Sequence, residues 1–496
     1  MDNKSPSNFN QAFWLALSQL SSIAIGFVSA AILARYFSKD DYGTYKQVIY
    51  VYTTLSSLFV IGLPSVFSYF IPRLNAGEQK SLIKGVNRLF LLLGLCFSLT
   101  LFLSAGVIAD LLKNPNLELA IRIFSPFPLF TLPTLGVEGI YTALKKTKFI
   151  AIYTLLSRTL SLIFIVFPVI IWNLSYIGAI IGWGIANFLI FLMSVYMKSR
   201  PYVGIKPELI SNMYKTIFDY SLPLVGAFIA GFGISSASQF FISRYYGTST
   251  FADFSNGNFS IPLAAMVASS VKQVLLPVIS KAHKDGDFNQ IRQVYGNACS
   301  NSILIIFPIL VFAMIFAGPL MTFIYGEKYI TSAPFLRAYL LRDFCSALPY
   351  FSVLLAFGKS RIYMNVHIIG VFYVWLTDYI CVVLLSLKPE SVVYCDSLFH
   401  IFCSAIIFVY IHKKYQLNLF TTKLVKNIFI VLVHCVSVGV FCTIFIKYIE
   451  NFISFIQIPV WNLLLGAIIF SLLLISSGRL LHINYLSIAT RFRRHG

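Results

Sequence analysis

Long apolar runs recur from one end of the chain to the other, and each is close to twenty residues long. A helix of about 20 apolar residues crosses the ~30 Å hydrocarbon core of a bilayer. Because no water inside the bilayer can bind exposed backbone groups, apolar runs of this length must be helical. A membrane β-barrel would instead show short segments of alternating polarity, which this sequence lacks. The runs therefore predict an all-α polytopic membrane protein.

The composition agrees with this class, because only 11% of the 496 residues are charged and 58% are hydrophobic. A soluble domain keeps about a quarter of its residues charged. The net charge of +20 lies largely in short loops, where Lys and Arg orient membrane spans. Without an arginine-rich arm or a basic aromatic face, we expect no nucleic-acid partner. The eight cysteines lie in apolar segments without a CxxC pair, so we expect no disulfide framework and no metal site.

The apolar runs define about 14 spans, with boundary errors of about 2–4 residues. We predict spans at 11–34, 43–71, 89–112, 119–143, 149–172, 176–197, 216–245, 251–280, 298–323, 332–357, 362–386, 390–411, 428–449 and 460–478. Lys and Arg in the intervening loops number 25 on one side of the membrane and 5 on the other. Since positive charge marks cytoplasmic loops, both termini are expected in the cytoplasm.

Three pairs of segments share an order of basic and aromatic residues, which indicates an internal repeat. The pairs are 34–48 with 243–257, 144–150 with 357–363, and 195–198 with 409–412. The offset within a pair is nearly the same in all three, and loop insertions account for its small drift. Spans 1–6 and 7–12 therefore form two six-helix copies, which are parallel because six is even. Transporters commonly bind substrate between such repeats and alternate access by rocking one against the other.

The repeat divides the chain into three predicted domains. Residues 1–200 hold the N-terminal six-helix bundle, and residues 201–415 hold the C-terminal six-helix bundle. Residues 416–496 hold spans 13 and 14 with a basic cytoplasmic tail.

Four segments carry a resemblance to a known superfamily. They are ILARYFSKDDYGTYKQV (32–48), GLPSVFSYFIPRL (62–74), the stretch 247–287, and FIYGEKYITSAPFLRAYLL (323–341). They resemble the polysaccharide branch of the multidrug/oligosaccharidyl-lipid/polysaccharide exporter superfamily, which includes the Wzx-type O-antigen flippases. The resemblance implies a multi-pass protein of the bacterial inner membrane. It also implies a V-shaped pair of bundles around a cationic central cavity.

The resemblance further implies a substrate and partners. The substrate would be an undecaprenyl-pyrophosphate-linked oligosaccharide of O-antigen or a related surface polysaccharide, moved from the cytoplasmic to the periplasmic leaflet by alternating access. Partners would be membrane lipids, a polysaccharide polymerase and a chain-length regulator. No cofactor and no ATPase activity are expected, although H⁺ or Na⁺ gradients drive some relatives.

Ionisable residues inside spans are candidates for function, because a cation at mid-depth costs ~2.5–3.5 kcal/mol or more. Arg158 lies near the middle of span 5 and Arg342 near the middle of span 10, with Lys272 in span 8. A water-filled cavity holding a pyrophosphate would offset that cost, because guanidinium groups bind phosphate oxygens bidentately and stay charged. We predict these three residues as substrate ligands.

Internal ion pairing is the alternative for each of these cations. Arg342 would then pair with Asp343 or Asp378, and Arg158 with Glu138. The same two aspartates are the predicted sites of H⁺ or Na⁺ coupling, since burial moves a carboxyl group towards neutral titration.

Three further cations lie near the outward ends of spans 1, 2 and 7. They are Arg35, Lys46 and Arg244, of which the first and last are related by the repeat. They would form a cationic vestibule for the substrate, or snorkel to the membrane interface.

The favoured function is therefore a flippase for a lipid-linked oligosaccharide, and not an enzyme. One alternative is a multidrug antiporter of the same superfamily, which would need acidic residues in its cavity. Another is a membrane polymerase or ligase, which would carry a large outward loop that this chain lacks. A flippase for a related headgroup differs only in the sugar, which the fold does not determine.

Overall fold

Helices make up all the regular structure in the computed structural model, which describes residues 8–60, 62–452, 458–483 and 485. The α-helices are α1 (Asn8–Tyr36), α2 (Lys39–Val60), α3 (Leu63–Phe70), α4 (Ala76–Leu111), α5 (Asn116–Phe124), α6 (Pro128–Thr131), α7 (Val137–Ala143), α8 (Thr147–Trp172), α9 (Tyr176–Ser199), α10 (Met213–Gly257), α11 (Pro262–Lys284), α12 (Phe288–Ile315), α13 (Ala317–Tyr325), α14 (Ala333–Phe344), α15 (Tyr350–Ala356), α16 (Ser360–Tyr379), α17 (Ser391–Tyr415), α18 (Thr422–Glu450) and α19 (Pro459–Leu480). The predicted all-α class is thereby confirmed. The basic tail predicted at Arg491, Arg493 and Arg494 lies outside the described residues.

Eleven helical stretches within the described residues are long and apolar enough to cross a bilayer, or twelve if the bent pair α2 and α3 forms one span. The chain is thus a multi-pass membrane protein, but the predicted count of 14 spans is not confirmed. Spans 7 and 10 of the prediction are absent from this set. Span 7 lies in the 45-residue helix α10, and span 10 is divided between α14 and α15.

The predicted boundaries of span 8 were wrong at its start. The chain from residue 251 to Gly257 still belongs to α10, which bends at Gly247 where φ is +83°. The spanning helix α11 begins only at Pro262, a residue suited to the first turn of a helix because its missing N–H needs no partner there. Glycine permits the bend because it has no Cβ to clash at positive φ.

The helices pack into two units, Met1–Ala252 and Asp253–Gly496. In the first unit α1 packs along α8, and α8 packs against α9. In the second unit α11 packs on α12, α14 on α17, and α18 on α19. The units differ from the predicted domains, whose boundaries at 200/201 and 415/416 follow the sequence repeat rather than the packing.

Broken helices occupy equivalent positions in the two halves of the sequence. Helices α7 and α15 directly precede the two members of the second predicted segment pair, so they begin and end at matching positions of the repeat. The loops that follow them have left-handed backbone at Lys145 and Gly358, which also match within that pair. The helix geometry therefore follows the repeat seen in the sequence. Discontinuous spans at corresponding positions of two repeats are typical of substrate sites in transporters.

Candidate functional site

The local sequence explains why the predicted span 10 is interrupted. Helix α14 ends at Phe344, a 3₁₀ turn covers Cys345–Ala347, and Pro349 precedes α15. Proline lacks a backbone donor and restricts the residue before it, so a helix does not continue through Leu348–Pro349. Arg342 and Asp343 lie in the last turn of α14, and the break therefore places two charged side chains at the interruption.

A cavity of about 380 Å³ opens at this break inside the second unit. Its wall combines residues from five helices, and Leu348 and Pro349 of the break itself also line it. The ionisable and phenolic side chains that line it include Lys272, Arg342, Asp343, Tyr350, His367 and His400. Two of the three predicted ligands, Lys272 and Arg342, thus lie in the wall of one cavity. This grouping of helices was not predicted from the sequence.

Arg342 has both an acidic and a phenolic partner. Its Nη1 donates to Oδ2 of Asp396 on α17 at 3.1 Å, and its Nη2 donates to the hydroxyl of Tyr339 at 2.6 Å. The guanidinium also lies 4.5 Å from the centre of the Tyr339 ring. The predicted alternative partners of Arg342, Asp343 and Asp378, were therefore wrong, because the packing of α14 on α17 brings Asp396 to it instead.

The two predicted coupling aspartates have different environments. Asp343 is largely buried in the cavity wall and accepts a hydrogen bond from the Ser260 hydroxyl at 3.1 Å. Asp378 is completely buried in α16 and is not part of the cavity wall. Of these two aspartates, Asp343 is therefore the one that lines the cavity together with Lys272 and Arg342.

Lys272 on α11 is exposed to the cavity. Within the described residues it forms neither an ion pair nor a hydrogen bond. Its ammonium group therefore retains its donors for a ligand.

Arg158 lies in the first unit, near the middle of α8, and its side chain is exposed. It shares one helix face with Thr154, Ser157 and Ser161, which follow at intervals of three and four residues. The structure forms no ion pair between Arg158 and Glu138 within its described part. The alternative of internal pairing with that glutamate is therefore wrong.

The three predicted vestibule cations also lie in the first unit. Arg244 on α10 donates to the carbonyl of Leu111 at the end of α4, where the last carbonyls of a helix lack partners. Lys46 lies 5.2 Å from the centre of the Tyr42 ring, and Arg35 is exposed in the last turn of α1. For Arg244 the contact is structural, because it satisfies the end of a helix.

The sequence interpretation missed Lys198, which it had counted as a loop charge. Lys198 is only 1% exposed, and its Nζ donates to Asn87 Oδ1 at 3.0 Å and to the Pro133 carbonyl at 2.6 Å. A third bond reaches the carbonyl of Leu135. These carbonyls belong to the break in span 4, so Lys198 seals that break. A lysine that ends an apolar helix gives no sequence signal of this role.

A second basic cavity, of about 450 Å³, lies in the first unit beside Lys80, Lys84 and Lys198. Two of its three lysines already donate hydrogen bonds to protein acceptors. Lys80 donates to the carbonyls of Tyr202 and Ile205, at 3.0 and 2.6 Å, and Lys198 has its three partners at the break. The cavity with Lys272 and Arg342 is therefore the better candidate for binding an anion.

The repeat relates the two breaks and shows how they differ. At the offset of the second segment pair, Leu135 corresponds to Leu348, and the third segment pair places Lys198 opposite His412. Lys198 is buried under its break, whereas His412 is exposed. The break in span 4 is filled by a lysine, and the break in span 10 lines a cavity. One half of the repeat thus keeps the interruption closed, whereas in the other half the interruption lines a cavity.

The fold and these broken spans define the class as a helical membrane protein with the fold of the multidrug/oligosaccharidyl-lipid/polysaccharide exporters. The chain is similar to the inward closed lipid II flippase MurJ, with a TM-score of 0.71 and 16% identity over 95% of this chain and 99% of that one. It is also similar to an inward-facing multidrug transporter of the MATE family, with a TM-score of 0.62 and 12% identity over 82% and 98% of the two chains. These identities are low, so the likenesses show the fold alone.

Residues 32–334 match the model of the polysaccharide biosynthesis protein family, and the chain belongs to that family. Among curated proteins it is similar to the succinoglycan biosynthesis transport protein ExoT of Rhizobium meliloti strain 1021, at 25% identity over 334 residues. That match covers 65% of this chain and 63% of the relative, so it spans less than two thirds of the relative's length. The predicted resemblance to the polysaccharide branch is confirmed.

Proposed function

We propose that this protein is a flippase that moves an undecaprenyl-pyrophosphate-linked oligosaccharide from the cytoplasmic to the periplasmic leaflet. One observation carries the proposal: Lys272 and Arg342 line a single cavity at a broken span. The family membership and the similarity to a lipid II flippase and to a succinoglycan transport protein support the same substrate class.

The electrostatic argument starts from the cost of cations in a membrane. A charged side chain at mid-depth costs ~2.5–3.5 kcal/mol or more, so it persists where a partner or water offsets that cost. Arg342 has Asp396 as a partner, but Lys272 forms no ion pair among the described residues. A pyrophosphate diester would supply two fixed negative charges to these two cations. The proposed ligand therefore supplies a negatively charged partner for Lys272.

Arg158 extends the proposal to the first unit. Its exposed guanidinium lies on a polar face of α8, and no acid pairs with it in the described part of the chain. We propose it as a second contact for the substrate, used at a different stage of transport or for the sugar. Arg35 and Lys46 are proposed to attract the anionic headgroup at the outward end, whereas Arg244 is assigned to the helix end that it caps.

The remaining features of the proposal follow from the charge distribution and the family resemblance. We propose that the protein lies in the bacterial inner membrane with both termini in the cytoplasm. The Lys and Arg of the predicted loops, leaving out the buried Lys198, number 24 on one side and 5 on the other. We propose alternating access between the two repeats, with H⁺ or Na⁺ coupling at Asp343 or Asp378. A polymerase and a chain-length regulator are the proposed partners, and the chain itself is proposed to catalyse no reaction.

A multidrug antiporter is the second candidate, since transporters of that type share the fold. The cavity argues against a cationic drug, because Lys272 and Arg342 would repel it, and one of the two acids nearby is occupied by Arg342. A polymerase is the third candidate, and it has no structural observation in its favour.

The test is the fate of the lipid-linked intermediate in a deletion strain. Loss of the surface polysaccharide, with completed repeat units held on the cytoplasmic leaflet, is the expected result. A single repeat unit that still reaches the cell surface would instead mean that translocation is intact and the proposal is wrong.

Point variants test the site in the same strain. We expect Arg342→Ala and Arg158→Ala to abolish complementation at normal expression. Arg337→Ala is the matched control, because Arg337 lies on the same helix α14 but is exposed and outside the cavity wall, and its Nε donates to the Met314 carbonyl at 3.0 Å. Wild-type complementation by both the Arg342 and Arg158 variants would overturn the site assignment.

A further inference from the structure

Arg342 lies between the cavity and an acidic residue behind it. Its side chain lines the cavity, while Asp396, on the neighbouring helix α17, is not part of the cavity wall. The carboxylate accepts one hydrogen bond from the guanidinium at 3.1 Å and is only 8% exposed. The guanidinium is thus bonded to Asp396 outside the cavity wall, while Arg342 itself lines the cavity proposed for the substrate.

The second oxygen of Asp396 has no hydrogen bond within the described part of the chain. Oδ1 is buried, and His400 Nε2 lies 3.7 Å from it, too far for a hydrogen bond. His400 lies one turn along the same helix and lines the cavity. A buried carboxylate oxygen without a donor is costly, because its desolvation is not compensated. A proton bound to His400 Nε2 would therefore give Asp396 Oδ1 the hydrogen-bond donor that it lacks.

A carboxylate and a phosphate present the same chemistry to a guanidinium, which is a pair of anionic oxygens that accept N–H bonds. Arg342 has five N–H donors, but Asp396 and Tyr339 already take two of its terminal groups. An incoming pyrophosphate that binds bidentately across Nη1 and Nη2 competes with Asp396 for the Nη1 group. Once this pair opens, Asp396 becomes a buried anion without its cation.

We propose that Asp396 is an internal competitor for the substrate anion, and that its displacement from Arg342 draws one proton onto His400. In the forward step the guanidinium turns to the phosphate, and a proton from the cavity water binds His400 Nε2, which then donates to Asp396 Oδ1. In release the guanidinium returns to Asp396, and the proton leaves for the water. This inference rests on the proposed function, because it requires an anionic substrate at Arg342.

Other ionisable groups surround this pair and share its field. They lie on α11, α14, α15, α16 and α17, together with the turn after α14, and are Lys272, Tyr339, Asp343, Cys345, Tyr350, Tyr363, His367 and Cys403. Among them, Asp343 has its own donor in Ser260, and His367 Nδ1 lies 3.1 Å from the Tyr363 carbonyl. When Arg342 moves, Asp396 and the Tyr339 hydroxyl both lose their bonds to it. Of these two, Asp396 is the one left as a buried anion, and His400 lies 3.7 Å from its carboxylate.

The test uses the full-length protein in detergent and dimethyl pyrophosphate as the probe. This diester has two fixed negative charges and takes up no proton near neutral pH, so any proton uptake belongs to the protein. Titration calorimetry in two buffers of different ionisation enthalpy gives both the Kd and the number of protons bound. For the wild type we expect uptake of close to one proton for each diester bound.

Two variants separate competition from protonation. Asp396→Asn should bind the diester about tenfold more tightly and take up no proton, because the competing charge is gone. His400→Gln should still bind but should lose the proton uptake. Glu118→Gln is the matched control, because it likewise removes the acid of an Arg–carboxylate pair, but of an exposed one in the first unit, and should change neither quantity.

The outcomes distinguish this inference from the proposed function. Absence of binding to the wild type, or binding that Arg342→Gln leaves unchanged, would overturn both. Binding that a folded Arg342→Gln protein loses, but that brings no proton uptake in the wild type, would overturn this inference alone. Equal or weaker binding by a folded Asp396→Asn protein would overturn it as well.

Discussion

Replacement of Lys198 by methionine tests how the break in span 4 is held. Methionine fills a similar volume but has no ammonium, so three acceptors lose their donor: Asn87 Oδ1 and the carbonyls of Pro133 and Leu135. Side-chain hydrogen bonds in membrane proteins contribute about 0.6 kcal/mol each on average, and up to about 1.7 kcal/mol. Three of them give about 2–5 kcal/mol, and removal of the buried charge recovers part of that. We therefore expect the free energy of unfolding to fall by about 2 kcal/mol.

The assay is reversible unfolding of the purified protein in mixed micelles with increasing SDS. Lys80→Met is the comparison variant, because Lys80 on α4 also donates to two carbonyls, those of Tyr202 and Ile205, but is half-buried where Lys198 is fully buried. At about 0.6 kcal/mol for each bond, loss of these two should cost about 1 kcal/mol, less than the loss of three bonds at Lys198. A Lys198→Met protein that unfolds at the same SDS fraction as the wild type would refute the sealing role.

Two further variants probe the packing of α2 in the first unit. Gly43→Ala should lower the melting temperature and the transport rate, because a Cβ there would lie 2.0 Å from the Thr248 carbonyl oxygen. Gly26→Ala is the control and should lower neither, because a Cβ at Gly26 would have nothing within 4 Å. Equal melting temperatures of the two glycine variants would contradict this. Asn114→Ala removes bonds to Gln47 Oε1 at 2.6 Å and Thr44 Oγ1 at 3.0 Å, and should destabilise the protein by about 1–2 kcal/mol in the same SDS assay. An unchanged unfolding curve would show that this buried amide contributes nothing.

The helices followed from the sequence because the length of an apolar run and the dielectric of a bilayer leave a single choice of backbone. The break in span 10 did not follow from the presence of Pro349, because a proline bends some helices and interrupts others. The difference depends on whether neighbouring groups donate hydrogen bonds to the backbone carbonyls that the break leaves without partners. In span 4 the donor is Lys198, which is 65 residues away from Pro133 in sequence.

The site was predictable by residue type but not by pairing. Arg342 and Lys272 stood out because cations inside apolar runs are rare and costly. The partner of Arg342 was sought in Asp343, its neighbour in sequence, and in Asp378 on the next span. The structure gives Asp396, because α14 packs on α17, and helix pairing of this kind is a property of the tertiary fold. For the same reason no sequence pattern indicated that His400 would lie 3.7 Å from that carboxylate.

The difference between the two breaks can be measured with one pair of cysteines. Cys345 is native, lines the cavity at the break of span 10, and is partly exposed. Its equivalent at the offset of the second segment pair is Leu132, which is completely buried at the break of span 4. If one break is open to water and the other is sealed, the two positions should react very differently with a charged thiol reagent, which does not enter apolar packing.

In an otherwise cysteine-free protein, Cys345 alone should therefore react readily with a small charged methanethiosulfonate, and Leu132→Cys alone should not. Dimethyl pyrophosphate should slow the reaction of Cys345, since Arg342 and Lys272 line the same cavity. Both proteins are first matched to the wild type in melting temperature, so that unfolding does not expose the thiol. Equal reaction rates at the two positions would mean that both breaks admit water. The repeat would then be functionally symmetric, and the assignment of the anion site to the second unit would lose its structural basis.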